Sequence, residues 1–132
     1  MLEVKALKVS KIVNFLVDTG TSYSAITEKE ATLMGIHVPT LPYARGKAIG
    51  FGGFFKNKII NREVDLTFSG DEGEYKIKCG GGLIVILIPP NLSSEDREDL
   101  IRLTPNVLGM DILRRFRTVI EENRVELILE KK

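Results

Sequence analysis

Apolar and polar positions change period along the chain, and each change marks an element. Met1 to Val9 alternates and predicts a first strand. Lys11 to Val17 predicts a second strand that ends on Asp18. Ala25-Ile26 leads into Thr27-Glu28-Lys29-Glu30, a capping box in which a hydroxyl and a carboxylate three residues apart open a helix. That helix is expected over Glu28 to Met34 and stops at Gly35, with Leu41-Pro42-Tyr43 as loop. Lys58 to Phe68 and Glu74 to Lys78 read as strands joined by the Ser69-Gly70-Asp71-Glu72-Gly73 turn. Leu83 to Ile88 is an unbroken apolar run ended by Pro89-Pro90. It is far short of the roughly 20 residues of a membrane span, so it predicts a buried strand.

Towards the C-terminus, Ser93 to Leu103 reads as a second helix. It has a serine cap, acids in its first turn, and Leu100, Ile101 and Leu103 facing inward. Arg117 to Leu129 reads as two strands around a Glu-Asn turn, with alternation at Val125, Leu127 and Leu129 supporting the second. No linker, repeat or low-complexity tract interrupts the pattern, so residues 1–132 are expected to form a single, mainly β domain.

Composition narrows the function classes. Hydrophobic residues at 43% and charged residues at 28% suit a soluble globular domain. A net charge of +1, with Lys and Arg dispersed, predicts no nucleic-acid surface. The N-terminus lacks a positive region followed by an apolar stretch, so no signal peptide, no membrane association and a cytoplasmic location are expected. The single Cys79 excludes an intrachain disulfide and predicts a buried thiol. The lone His37 follows a helix-ending glycine and predicts a surface loop residue. No donor cluster suggests a metal, and no context suggests nucleophilic catalysis through that histidine.

Candidate chemistry lies in three separated blocks. The first is Phe15-Leu16-Val17-Asp18-Thr19-Gly20-Thr21-Ser22, an apolar strand that delivers a carboxylate into a Thr-Gly turn. The second is Ala48-Ile49-Gly50-Phe51-Gly52-Gly53-Phe54-Phe55-Lys56. It reads as a glycine-rich hairpin whose phenylalanines serve either a core or a lid. The third is Asn106-Val107-Leu108-Gly109-Met110-Asp111-Ile112-Leu113. In order and rough spacing, the three together resemble the retropepsin family, the dimeric aspartic proteases of retroviruses and their cellular relatives.

The resemblance implies an acid-protease-like closed β-barrel, one lobe per chain, with a flap hairpin and two short helices. It implies aspartic endopeptidase activity without cofactor or metal. Hydrolysis by carboxylates needs two of them sharing one proton, because like charges at about 3 Å cannot both ionise. The chain holds one Asp-Thr-Gly in 132 residues, so the second carboxylate must come from another copy. The expected partners are therefore a second copy of the chain and a peptide or protein substrate.

Residue by residue, the resemblance implies that Asp18, Thr19 and Gly20 form the catalytic loop, with Thr19 bonding across the dimer axis. Ile49, Gly50, Phe51, Gly52 and Gly53 would form the flap. Leu16, Pro105 and Val107 would line side-chain pockets, although simple core packing also accounts for Val107. Thr21 carries a hydroxyl that is expected to donate to Asp18 and lower its pKa.

The chain departs from viral members at Ser22 and Met110, which replace the two partners of an ion pair. Gly-Met-Asp-Ile-Leu instead resembles the cellular and prokaryotic branch. The 93–103 helix is an addition that either shapes substrate access or fills a surface. The tail hairpin is a candidate dimer sheet. Two other readings compete with proteolysis. One is a non-catalytic peptide-binding module of the same fold, and the other is a domain that serves mainly to dimerise.

Overall fold

The computed structural model describes residues 1–44, 57–89 and 91–129. In chain order the strands are β1 (Leu2–Val4), β2 (Val9–Lys11), β3 (Leu16–Val17), β4 (Ala25–Thr27), β5 (Asn57–Ile60), β6 (Val64–Gly70), β7 (Gly73–Cys79), β8 (Leu83–Ile86), β9 (Val107–Leu108), β10 (Arg117–Ile120) and β11 (Val125–Ile128). The helices are α1 (Glu28–Leu33), α2 (Ser94–Leu103) and α3 (Met110–Leu113), with short 3-10 turns at Lys5–Leu7 and Val38–Thr40. The fold is mainly β, as expected, but carries three α-helices among the described residues rather than two. The single turn α3 lies in the third block, directly after Gly109.

Two sheets enclose one core. The first runs β2-β1-β6-β7, and the second runs β3-β9-β4-β8-β5. Leu2, Val4, Val64, Leu66 and Ile77 of the first meet Ile26, Ile60, Leu83, Val85 and Leu108 of the second, all essentially inaccessible to solvent. Burial of such side chains is worth about 1.5–3 kcal/mol each and dominates the stability of the arrangement. The two sheets thus wrap a common core in a barrel-like way, although each is an open ladder among the described residues.

Several expected boundaries shift for identifiable reasons. Met1 to Val9 is not one strand but a hairpin of β1 and β2, with Leu2 opposite Lys11 and Val4 opposite Val9. Lys8 adopts a left-handed conformation at φ 55°, and its N–H donates to the Lys5 carbonyl, which closes the turn. The second expected strand shrinks to β3, because β2 already ends at Lys11. Lys58 to Phe68 divides at 61–63 into β5 and β6, which belong to different sheets. The corner falls on the polar run Asn61-Arg62-Glu63, where the alternation breaks.

The start of α1 follows half of the capping box. Thr27 Oγ1 accepts from the Glu30 N–H at 3.1 Å. The Glu30 carboxylate does not return the bond. It pairs with Lys11 Nζ at 3.0 Å, and the Thr27 N–H donates to Asn106 Oδ1 instead. Gly35, at φ +91°, ends the helix.

In α2, Ser93 caps as expected by accepting from the Asp96 N–H. The expected inward row fails at Leu103, which is 69% exposed, and no residue of α2 is fully buried. The helix lies on the surface, where one half-buried stripe at Leu100 and Ile101 suffices to hold it.

The tail forms the expected hairpin. β10 and β11 pair from Arg117 opposite Ile128 to Ile120 opposite Val125, and the Glu121 N–H donates to the Arg124 carbonyl across the turn. Phe116 anchors it edge-on to Phe68 and Tyr75, with ring centroids at 5.4 and 5.8 Å. No described helix is long and apolar enough to cross a membrane.

Candidate active site

Asp18 follows the last residue of β3 and is half-buried. Its position is set by the parallel pairing of β3 with β9, in which Leu16 lies beside Val107 and Val17 beside Leu108. The Leu16 N–H donates to the Asn106 carbonyl at 2.8 Å, and the Asp18 N–H donates to the Leu108 carbonyl at 3.0 Å. The third block therefore grips the first along its whole approach to the carboxylate.

Beyond Asp18 the chain turns sharply. Asp18 Oδ1 accepts from the Gly20 N–H at 2.8 Å, so the carboxylate organises its own loop as an Asx turn. The Thr21 N–H reaches back to the Asp18 carbonyl at 3.4 Å. A Cβ on Gly20 would lie 3.2 Å from Asp18 Oδ1, so any larger residue would crowd the carboxylate. Thr19 and Gly20 are exposed, which leaves the loop tip open to a second molecule.

Thr21 is placed differently from the expectation. Its side chain is 4% exposed, and Oγ1 has no hydrogen-bond partner among the described residues. The bond to the Asp18 carboxylate is not made. The donor that holds that carboxylate is the Gly20 backbone.

The loop is tied to the third block a second time, on its far side. The Met110 N–H donates to the Thr21 carbonyl at 2.9 Å, and the Asp111 N–H donates to the Ser22 carbonyl at 3.1 Å. Ser24 and Asp111 complete the connection. Asp111 Oδ1 accepts from the Ser24 N–H at 3.0 Å, from the Ser24 hydroxyl at 2.6 Å and from the Ile112 N–H at 2.9 Å. The Ser24 oxygen in turn accepts from the Gly109 N–H at 2.8 Å. These bonds lie beside Ser22 and Met110, the two positions that lack charged partners.

Asn106 does comparable work at the other end. Its Nδ2 donates to the Asn14 carbonyl at 3.1 Å, and its Oδ1 accepts from the Thr27 N–H at 2.9 Å. One side chain thus spans from the start of β3 to the end of β4, the two neighbours of β9. Sequence reading assigned no role to Asn106, Ser24 or Asp111. The available signal was their chemistry: short polar side chains flanking an apolar strand are suited to bonding nearby backbone.

The expected pocket residues separate by exposure. Leu16 is 54% exposed, whereas Val107 is fully buried and Pro105 is half-buried. β9 lies between β3 and β4, whereas β3 has a neighbour on one side only among the described residues. Leu16 presents its side chain to solvent, and Val107 serves packing in the single chain. The expected flap residues Ile49, Gly50, Phe51, Gly52 and Gly53 lie outside the described residues. Among the described residues no group of three or more His, Cys, Asp or Glu side chains is placed to hold a metal.

No family model matches the chain, and no curated protein matches it. Among solved structures, the chain is similar to a retropepsin-like aspartic protease from Rickettsia conorii. The two are 23% identical, over 92% of this chain and 74% of the other, with a TM-score of 0.45.

Proposed function

We propose that the chain is a homodimeric aspartic endopeptidase in which Asp18 and its symmetry mate share one proton and activate a water between them. The observation that carries this reading is the setting of Asp18. The carboxylate stands at the end of a strand clamped by β9, bonded to its own Gly20 N–H, with Thr19 and Gly20 exposed beside it. A twofold axis passing near that exposed tip would bring two such carboxylates together. One then acts as base on the water, and the other as acid toward the carbonyl oxygen.

The substrate is an extended peptide bound largely through its backbone, with an apolar residue against Leu16 near the cut. Pro105, half-buried just before β9, extends that wall, and Val107 packs behind it. The role of a flap over the peptide is proposed for Ile49, Gly50, Phe51, Gly52 and Gly53. The tail hairpin supports the dimer. It leaves Ile120, Val125 and Leu129 exposed, and an isolated two-stranded hairpin gains stability from a further partner.

The test is cleavage of a mixed peptide library from about pH 3 to 8, a range that spans carboxylate titration, with Asp18→Asn in parallel. The asparagine keeps an acceptor for the Gly20 N–H, so the loop is preserved while the acid–base chemistry is lost. The expected result is cleavage by the wild type and a fall of about 100-fold or more in the variant. A folded, dimeric wild type that cleaves nothing would overturn the reading in favour of a peptide-binding module.

A further inference from the structure

Asp111 lies 93 positions from Asp18 in the chain, yet its Oδ1 gathers three donors, two of which tie the segment after Asp18 to α3. Two come from Ser24, its N–H at 3.0 Å and its hydroxyl at 2.6 Å, and the third is the Ile112 N–H at 2.9 Å. With its proton committed to Asp111, the Ser24 hydroxyl oxygen is free to accept from the Gly109 N–H at 2.8 Å. Ser24 is 2% exposed, so this relay runs in the interior, where hydrogen bonds to a charged acceptor are stronger than neutral ones.

The spacing that the relay holds is narrow. A Cβ at Gly109 would lie 2.8 Å from the carbonyl carbon and oxygen of Tyr23 and 3.0 Å from Thr21 Cγ2. The Tyr23 backbone and the Thr21 methyl therefore lie directly against the Gly109 backbone. That contact lies between the bond from Asp18 N–H to Leu108 on one side and the bonds from Met110 and Asp111 N–H to Thr21 and Ser22 on the other. A shift of the loop relative to β9 would move the carboxylate with it.

We propose that Asp111, acting through Ser24, is a positioning residue for the Asp18 carboxylate; its catalytic consequence rests on the protease reading above. Asp111 touches neither Asp18 nor a substrate. It holds the loop at the height from which two symmetry-related carboxylates meet. Misplacement by about 1 Å can cost on the order of 100-fold in rate, so small movements at Ser24 matter.

The test compares Asp111→Ala, Ser24→Ala and the conservative Asp111→Asn, which retains an oxygen at the Oδ1 position. Two readouts are taken on folded, dimeric protein. The first is the Gly20 amide signal in a proton–nitrogen NMR spectrum, because that N–H is bonded to Asp18 Oδ1 and reports the carboxylate position without any turnover. The second is peptide cleavage, resolved into kcat and KM.

Asp111→Ala and Ser24→Ala are expected to move the Gly20 signal and to lower kcat about tenfold or more with KM within about twofold. Asp111→Asn is expected to restore both. An unmoved Gly20 signal in folded Ser24→Ala and Asp111→Ala, with only a lowered melting temperature, would overturn the proposal and leave the pair a purely structural brace. If Asp111→Ala does not fold, Ser24→Ala and Asp111→Asn decide the matter. If the wild type cleaves nothing, the protease reading fails while the Gly20 signal still tests the positioning.

Discussion

Gly109 and Tyr23 meet backbone to backbone. An added Cβ at Gly109 would stand 2.8 Å from both the carbonyl carbon and the carbonyl oxygen of Tyr23. Neither atom is the end of a flexible side chain, so neither can step aside. Because the contact joins the stretch after Asp18 to the turn between β9 and α3, Gly109→Ala should strain the site itself. The expected cost is about 1–3 kcal/mol or more, measured by denaturant unfolding. Activity should fall further than stability alone explains.

Leu16 and Val107 are register neighbours with opposite fates. Leu16→Ala removes a side chain that is already more than half in solvent, so stability should change by only about 0.5 kcal/mol. Selection for an apolar residue beside the cut should weaken. Val107→Ala should cost about 1.5–3 kcal/mol because it empties a fully buried position, while the cleavage preference persists. Peptide-library profiles beside thermal melts on the two variants check this separation.

Thr21 buries a hydroxyl with no partner among the described residues. A buried unpaired hydroxyl is a net cost, and replacing it with a methyl of the same shape removes that cost. Thr21→Val is therefore expected to stabilise the chain by about 1 kcal/mol. With no bond from Thr21 to the carboxylate, the acidic limb of the pH–rate curve should stay where it is. A displaced limb would show that the hydroxyl turns to Asp18 in the working dimer.

Cys79 is pushed up from an ordinary value of 9.0 to about 11. Burial is the main cause, joined by the negative charges of Asp111 and Asp65 and partly offset by Arg115. A raised acid pKa means that folding holds the proton. The associated stabilisation is fully present below pH 9 and is lost as pH rises from 9 through 11. At pH 8 the thiolate fraction should be about 100-fold below that of an ordinary cysteine. Iodoacetamide should accordingly modify the native protein far more slowly than the urea-unfolded chain, as followed by mass spectrometry.

Local signals in the sequence determined much of this protein. The serine cap of α2, the threonine cap of α1, the glycine stop at Gly35, the turn between β6 and β7, and the tail hairpin all rest on interactions within a few residues. The candidate catalytic Asp18 was legible for the same reason, since an apolar run ending in Asp-Thr-Gly carries its turn chemistry with it.

What the tertiary structure decided depends on distance along the chain. The split of the first segment into β1 and β2 required the left-handed Lys8, a conformation that the residue type does not announce. The burial of Val107 beside an exposed Leu16 followed from what the folded chain packs around each residue, since β9 lies between β3 and β4 whereas β3 has a described neighbour on one side only. The bonds of Asn106 to Asn14 and Thr27, and of Asp111 to Ser24, join residues 79 to 92 positions apart. No local period encodes such pairs. They exist because β9 inserts between β3 and β4, and that insertion seats the Asp18 carboxylate.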